Sequence, residues 1–86
     1  MPKVEMYTSA TCAYCVAAKT LLKQKGYDYQ EIRIDTDPAK LREMLDRSQR
    51  RTVPQIFING HHVGGYDDLV AADRSGELAK IAGASA

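Results

Sequence analysis

Apolar and polar residues alternate in two stretches of the chain, and a helical stretch lies between them. In KVEMYT (residues 3–8) and YDYQEIRI (27–34) the alternation has the period of two that predicts a β-strand. Between them, VAAKTLLKQK carries apolar residues at helical spacing from Ala18 to Leu22, and Gly26 follows as a stop signal. This β-α-β order predicts a parallel strand pair joined by a right-handed crossover.

The next helix is marked at its start and along one side. In DTDP, Asp37 is a suitable N-cap, and Pro38 at the first helical position lacks an N–H that would otherwise be left unpaired. The residues that follow place Leu41, Met44 and Leu45 on one apolar stripe. A second helix is therefore predicted after the second strand.

A hairpin and a third helix complete the pattern. QIFI (55–58) is a short β-rich run, and the Asn-Gly pair at 59–60 favours a two-residue turn, so HHVG is predicted to return antiparallel. YDDLVAADRSG predicts a helix that ends before Gly76, and ELAKIAG one more short helical turn. The order β-α-β-α-β-β-α predicts an α/β fold with a four-stranded mixed sheet flanked by helices, in a single domain spanning residues 1–86.

The composition narrows the classes of function. With 44% hydrophobic and 27% charged residues, the chain is typical of a folded domain. A net charge of +1 favours neither nucleic acid nor membrane as a partner, and no apolar run approaches the ~20 residues that span a bilayer. The start of the chain lacks the apolar segment of a signal peptide. We therefore expect a cytoplasmic protein, in a compartment where close cysteines are more often catalytic or metal-binding than a permanent cross-link.

The two cysteines lie where the first strand gives way to the first helix. Cys12 and Cys15 are separated by two residues in TCAYC. The unpaired N–H groups and the dipole of a helix start favour negative charge, so the pKa of a thiol at Cys12 should be depressed. Cys15 is one turn further on the same face, where it can attack a mixed disulfide at Cys12. Cys12 is predicted as the nucleophile and Cys15 as the resolving thiol.

Two structural roles for the cysteines compete with this redox couple. A zinc site needs about four ligands, and His61 and His62 would have to join the cysteines, although adjacent strand residues point to opposite faces. A permanent disulfide across so short a loop gains little from chain entropy. The CxxC beside a βαβ pattern favours the redox interpretation.

Three segments together resemble the glutaredoxin family, dithiol class. YTSATCAYC resembles the family's active-site segment. RRTVPQIFING resembles its TVP loop (residues 52–54 here) with the strand and hairpin turn that follow. HHVGGYDDL resembles the second strand of that hairpin and the Gly-Gly-x-x-Asp start of the next helix. The similarity runs from Lys3 to about Ile81. It implies a thioredoxin-like fold and a glutathione-dependent thiol–disulfide oxidoreductase. The implied substrates are glutathionylated proteins and protein or low-molecular-weight disulfides.

The resemblance also implies a glutathione site beside the cysteines. Pro54 would follow a cis bond, and the backbone of Val53 would pair with an incoming substrate as in strand addition. Gly64 and the residues after it would bind the γ-glutamyl end. The implied contacts are Tyr14, Arg51, Thr52, Val53, Pro54, Gly65, Tyr66, Asp67 and Asp68, with Arg50 second to Arg51 for the glycyl carboxylate.

Residue type alone also allows simpler roles for these positions. The two aspartates are then helix-start acids that complement the dipole, and the arginines of RSQRR a solvated helix end. Pro54 is a strand-start proline, and Tyr14 an exposed aromatic.

Two departures from the family pattern open further possibilities. Many dithiol members have Pro where this chain has Ala13, and some members without that proline hold a [2Fe–2S] cluster between two protomers with glutathione as co-ligand. A cluster carrier or sensor is therefore the alternative function, with Cys12 as the ligand from each protomer. Many relatives also have Lys where this chain has Ser9, which removes a cation near the thiolate.

Apart from that cluster, we expect no metal and no tightly bound cofactor, with glutathione as co-substrate and the protein as a monomer. A thioredoxin-like binding module with an inactive or glutathione-independent cysteine pair is the third possibility.

Overall fold

The computed structural model describes residues 2–83, which form one four-stranded sheet with helices on both faces. The strands are β1 Val4–Thr8, β2 Gln30–Arg33, β3 Gln55–Ile58 and β4 His61–Gly64. The helices are α1 Ala13–Gln24, α2 Pro38–Ser48, α3 Tyr66–Ser75 and α4 Glu77–Gly83. Helix α4 adds one element to the predicted order β-α-β-α-β-β-α, because ELAKIAG forms a helix of seven residues where a short helical turn was expected.

The strands are arranged in the order β2-β1-β3-β4. β1 pairs parallel to β2 and antiparallel to β3, and β4 pairs antiparallel to β3. The sheet is therefore mixed, and the α/β fold with a four-stranded sheet between helices is confirmed. The Asn59 and Gly60 backbones both have positive φ, which the predicted two-residue hairpin turn requires.

Both faces of the central strands β1 and β3 are buried. One face packs on α1, α3 and α4, through the cluster Val4, Met6, Ala18, Leu22, Ile56, Ile58, Leu69, Leu78 and Ala82. The other packs on α2, through Tyr7, Ile32, Met44 and Phe57. Covering the sheet on both sides fixes the loops at its ends, where the cysteines lie.

The predicted apolar stripe of α2 is only partly correct. Met44 is fully buried, but Leu41 is 36% exposed, so the sheet covers the helix from Met44 onward. One turn later the inner position is a serine, Ser48. Its burial leaves no unpaired hydroxyl, because the hydroxyl donates to the Met44 carbonyl at 2.7 Å.

A polar network ties α2 to β1 beneath the helix. The Tyr7 hydroxyl donates to Glu43 Oε2 at 2.5 Å and accepts from Arg47 Nη1 at 2.8 Å. Arg47 also pairs with Glu5 at 3.2 Å, and its guanidinium lies 4.0 Å from the centre of the Phe57 ring. Burial, followed by the Glu43 hydrogen bond, raises the pKa of Tyr7 to about 12.

None of the helices formed by residues 2–83 is long and apolar enough to cross a membrane.

Removing Arg47 should destabilise the protein. Arg47→Ala takes away the Glu5 pair, the Tyr7 hydrogen bond and the stacking on Phe57, and we expect the free energy of unfolding to fall by about 1–3 kcal/mol. Arg42→Ala, at an exposed position of the same helix, is the matched control and should leave the midpoint of urea denaturation unchanged. Equal midpoints for the two variants would show that the network adds nothing to stability.

Tyr7 should make the protein less stable in strong alkali. Its folded pKa of about 12 lies above the ordinary tyrosine value of 10.0, so the protonated phenol is favoured by folding. That contribution is fully present below pH 10 and is lost as the pH rises toward 12. Tyr7→Phe has no phenol to ionise, so its unfolding free energy should fall less steeply over this interval. Parallel slopes for the two proteins in pH-dependent denaturation would contradict the assignment.

Candidate active site

Strand pairing brings three loops to one end of the sheet. β1 is antiparallel to β3, with Tyr7 opposite Gln55, so the segment that follows β1 meets the segment that precedes β3. β4 is antiparallel to β3, with Gly64 opposite Ile56, so the end of β4 arrives at the same place. The cysteines, the TVP loop and the start of α3 therefore converge.

Cys12 caps the helix that carries both cysteines. Its backbone is extended, and its Sγ accepts a hydrogen bond of 3.0 Å from the Cys15 backbone N–H. The structure joins Cys12 and Cys15 in a disulfide, with Cα atoms 5.2 Å apart. The sulfur of Cys12 thus lies at the helix N-terminus, where a thiolate would gain an N–H donor and the favourable end of the dipole.

The two sulfurs differ in access. Cys15 is 1% exposed, whereas Cys12 is partly exposed. An incoming thiolate or disulfide can therefore reach Cys12 and not Cys15. This difference in access fits an outer sulfur that meets substrates and an inner one that reacts with the outer.

The TVP loop faces the outer sulfur. The carbonyl oxygen of Val53 lies 3.4 Å from Cys12 Sγ, and the Val53–Pro54 peptide is cis, as the resemblance implies. Gln55, fully buried, supports the loop because its Nε2 donates to the Thr52 carbonyl at 3.0 Å. The Oε1 of the same amide lies 2.8 Å from His62 Nε2. A buried amide thus holds the loop against the sulfur.

A carboxylate is fixed at the start of α3. Asp68 Oδ2 accepts the Gly65 N–H at 2.9 Å and pairs with Arg50 Nη1 at 2.9 Å. These two hydrogen bonds, that of Arg50 first, lower the pKa of Asp68 below its ordinary value. Asp67, in the same turn, is exposed. Gly64 has a φ of 117°, which favours glycine. It packs directly against the Asp68 side chain, since a Cβ at this position would come within 2.3 Å of Asp68 Oδ2.

A cleft of about 230 Å³ lies between the TVP loop and the start of α3. Cys12 does not line it, but the carbonyl of the lining residue Val53 lies 3.4 Å from the Cys12 sulfur. The cleft lining consists of residues that were all predicted as glutathione contacts, namely Tyr14, Thr52, Val53, Pro54, Gly65, Tyr66, Asp67 and Asp68. Tyr14, 64% exposed, stacks on Tyr66 with ring centroids 6.0 Å apart. Arg51 is exposed and does not line the cleft, and Arg50 is bound to Asp68.

Two contacts of this site do not follow from the sequence pattern. The family resemblance implies Arg50, second to Arg51, for a glycyl carboxylate, but not its pairing with Asp68, eighteen positions away. The stacking of Tyr14 on Tyr66 is the other unpredicted contact. The only sign of the Arg50–Asp68 pair in the sequence is that RSQRR is basic and YDD is acidic. The chain has 11 acidic residues, so this sign does not identify the partner of Arg50.

The histidines do not join the cysteines. His62 is bonded to Gln55 and stacks on Phe57, whereas its neighbour His61 is exposed. Within residues 2–83 no group of three or more His, Cys, Asp or Glu side chains is arranged to hold a metal ion.

Comparison with known proteins decides the family. The Glutaredoxin family model matches residues 4–63. The chain belongs to the glutaredoxin family. It is 55% identical over 78 residues to glutaredoxin 3 of Escherichia coli K12, covering 91% of this chain and 94% of that protein. It is 50% identical over 78 residues to the glutaredoxin of Pseudomonas aeruginosa PAO1, covering 91% and 93%.

Solved glutaredoxin structures have the same fold. The crystal structure of a buckwheat glutaredoxin–glutathione complex superposes with a TM-score of 0.85 at 32% identity, covering 94% of this chain and 76% of that one. The solution structure of glutaredoxin from Brucella melitensis gives 0.81 at 45% identity, covering 93% and 87%. The predicted thioredoxin-like fold and glutathione-dependent thiol–disulfide oxidoreductase are therefore confirmed. These relatives favour the enzyme over the iron–sulfur carrier.

Gly64→Ala should disturb this glutaredoxin more than Gly60→Ala. Both positions have positive φ, so each variant should lose about 1–2 kcal/mol of unfolding free energy from backbone strain. Only at Gly64 would the new Cβ meet the Asp68 carboxylate, whereas nothing lies within 4 Å at Gly60. We expect Gly64→Ala to lose clearly more stability in urea and to raise the KM for glutathione. Similar values for both variants would contradict the close packing of Gly64 on Asp68.

Proposed function

We propose that this glutaredoxin binds glutathione in the cleft beside Cys12 and reduces glutathionylated proteins together with protein and low-molecular-weight disulfides. The observation that carries the proposal is the position of the partly exposed Cys12 sulfur, 3.4 Å from the Val53 carbonyl that lines the cleft. The buckwheat relative, solved with glutathione, supports the choice of ligand.

Glutathione would lie with its sulfur on Cys12 and its backbone along the TVP loop. The backbone of Val53 would pair with the ligand's cysteine residue, as a strand adds to an open edge. Tyr14 and Tyr66, stacked at the cleft, would pack on the tripeptide. The glycyl carboxylate would point toward Arg51, which is exposed outside the cleft lining.

The γ-glutamyl end would lie at the start of α3. Its ammonium finds acceptors in Asp67 and Asp68, and its carboxylate finds the unpaired N–H groups of the first turn. Gly65 lines the cleft, and without a side chain its backbone is open to the ligand there. The hydrogen bonds from Arg50 and Gly65 lower the pKa of Asp68, which favours the charged carboxylate that the ammonium needs.

Reduction of a glutathionylated protein would need one protein sulfur. The Cys12 thiolate attacks the glutathione sulfur, the substrate leaves as a thiol, and Cys12 carries the glutathione. A second glutathione thiolate then attacks the glutathione sulfur held on Cys12. Glutathione disulfide is released, and the Cys12 thiolate is restored.

Reduction of a protein disulfide would need both sulfurs. Cys12 attacks one substrate sulfur and forms a mixed disulfide, while the other substrate sulfur leaves as a thiol. Cys15, whose backbone N–H lies 3.0 Å from Cys12 Sγ, then attacks the Cys12 sulfur. The substrate is freed, and the products include the Cys12–Cys15 disulfide that the structure contains. Two glutathione molecules reduce this disulfide and become glutathione disulfide.

The cellular setting follows from this chemistry. A couple that glutathione keeps reduced works in a reducing compartment, so we propose the cytoplasm. We propose that residues 1–86 act as one glutaredoxin domain and as a monomer, with no nucleic-acid or membrane partner, in keeping with the net charge of +1.

Cys15→Ser should separate the two activities. Serine is close in size but cannot resolve a mixed disulfide, so we expect most of the reduction of protein disulfides to be lost and much of the deglutathionylation to remain. A stable glutathione adduct on Cys12 should accumulate and be visible by intact mass. Cys15 lies one turn from Cys12, so its effective concentration should exceed that of free thiols.

Cys12→Ser is the control and should abolish both activities, because the attacking thiolate is gone. If Cys15→Ser also loses both, the inner sulfur contributes to forming the site, and the division of labour is wrong. Appreciable turnover by Cys12→Ser would show that Cys12 is not the nucleophile.

A further inference from the structure

Arg50 and Asp68 form an ion pair at the mouth of the cleft. Arg50 follows α2, Asp68 belongs to the first turn of α3, and Arg50 Nη1 lies 2.9 Å from Asp68 Oδ2. Both side chains are about half exposed, at 48% and 47%. The Gly65 N–H donates to the same carboxylate oxygen. The Gly64 backbone packs against the Asp68 side chain so closely that a Cβ at position 64 would clash with it. Asp68 lines the cleft and is held in place by these contacts. Its ion pair in turn keeps Arg50 beside the cleft.

The pair presents a cation and an anion side by side. The guanidinium is the cation and the carboxylate the anion, and the hydrogen bonds from Arg50 and Gly65 favour the charged form of Asp68 by lowering its pKa. Because the two charges cancel at a distance, a simple anion or cation gains little at this point. A group that itself carries an ammonium and a carboxylate on one carbon can satisfy both partners at once. The α-amino acid end of a γ-glutamyl peptide is such a group.

We propose that Arg50 is a specificity-determining residue that binds the α-carboxylate of glutathione's γ-glutamyl end while Asp68 binds the adjacent ammonium. This assignment rests on the proposed glutathione site. On binding, the ligand's two charges replace the direct Arg50–Asp68 contact, so neither side chain loses its partner. Arg50 adds a charged donor to the N–H groups of the first turn of α3, and the glycyl carboxylate is left to Arg51.

A competition between peptides tests the assignment in the Cys15→Ser background. The Cys12 thiolate attacks the disulfide form of each peptide, which gives an adduct on Cys12 and one free peptide thiol. Glutathione disulfide is mixed with the disulfide of one analogue, and the two adducts are counted by intact mass at equilibrium. The analogues lack the α-carboxylate (4-aminobutyryl-cysteinylglycine), lack the α-amino group (glutaryl-cysteinylglycine) or carry an ethyl ester on the glycyl carboxylate. The ratio of adducts cancels any change in the reactivity of Cys12 itself.

Each variant should alter a different ratio. Arg50→Gln should lower the preference for glutathione over the 4-aminobutyryl peptide by about 3- to 10-fold, the range for a charged hydrogen bond open to solvent. The preference of Arg50→Gln for glutathione over the glycyl ester should stay unchanged. Arg50→Lys, which keeps the positive charge, should retain part of the preference over the 4-aminobutyryl peptide that Arg50→Gln loses. Arg51→Gln should affect the glycyl ester ratio alone. Arg42→Gln, at an exposed position of α2, should alter none.

Two failures are distinguishable. If the parent protein discriminates against the analogues but Arg50→Gln leaves the 4-aminobutyryl ratio unchanged, or lowers every ratio equally, Arg50 does not bind the α-carboxylate. A change confined to the glycyl ester ratio would place Arg50 at the other end of the peptide and also overturn the assignment. If the parent protein accepts the 4-aminobutyryl and glutaryl peptides as readily as glutathione, the proposed γ-glutamyl site itself is wrong.

Discussion

The hydrogen bond from the Cys15 backbone N–H to the Cys12 sulfur is the contact on which the site depends. It makes a sulfur the N-cap of α1, a role that oxygen side chains usually fill. Because the cap is also the reactive atom, the helix start that needs an acceptor stabilises a thiolate as well. The same geometry buries Cys15 one turn below, so only one of the two sulfurs is presented to substrates.

The sheet determines what surrounds that sulfur. Antiparallel pairing of β3 with both β1 and β4 brings the cysteines, the TVP loop and the start of α3 to one end. Each segment contributes a different kind of group: a sulfur, the backbone of the TVP loop and a helix N-terminus with carboxylates. Helices cover both faces of the sheet, and the Tyr7–Arg47 network fixes α2 on one of them, so these loops are held on a rigid support.

Charge at this site is local. The chain has a net charge of +1, and the residue at position 9, shortly before the cysteines, is an uncharged serine. The Arg50–Asp68 pair supplies charges of both signs at the mouth of the cleft. Under the proposed assignment, recognition of a zwitterionic peptide end would rely on paired short-range contacts, which salt screens less than a long-range field.

The sequence by itself determined the elements that depend on neighbours along the chain. Asp37 and Pro38 start α2, the Asn-Gly turn closes the hairpin, and the Cys12–Cys15 spacing sets both sulfurs on one helix start. The resemblance to glutaredoxins added the residues of the cleft lining, which no local signal identifies.

Only the tertiary structure decided the contacts between distant segments. Leu41 is exposed although its spacing is that of a core residue, because the sheet covers only the later part of α2. Arg50 meets Asp68, and Tyr14 meets Tyr66, because strand order places their loops together. Sequence patterns report the environment of a residue relative to its own helix or strand. Which other element arrives at that face depends on how the whole sheet and its helices pack.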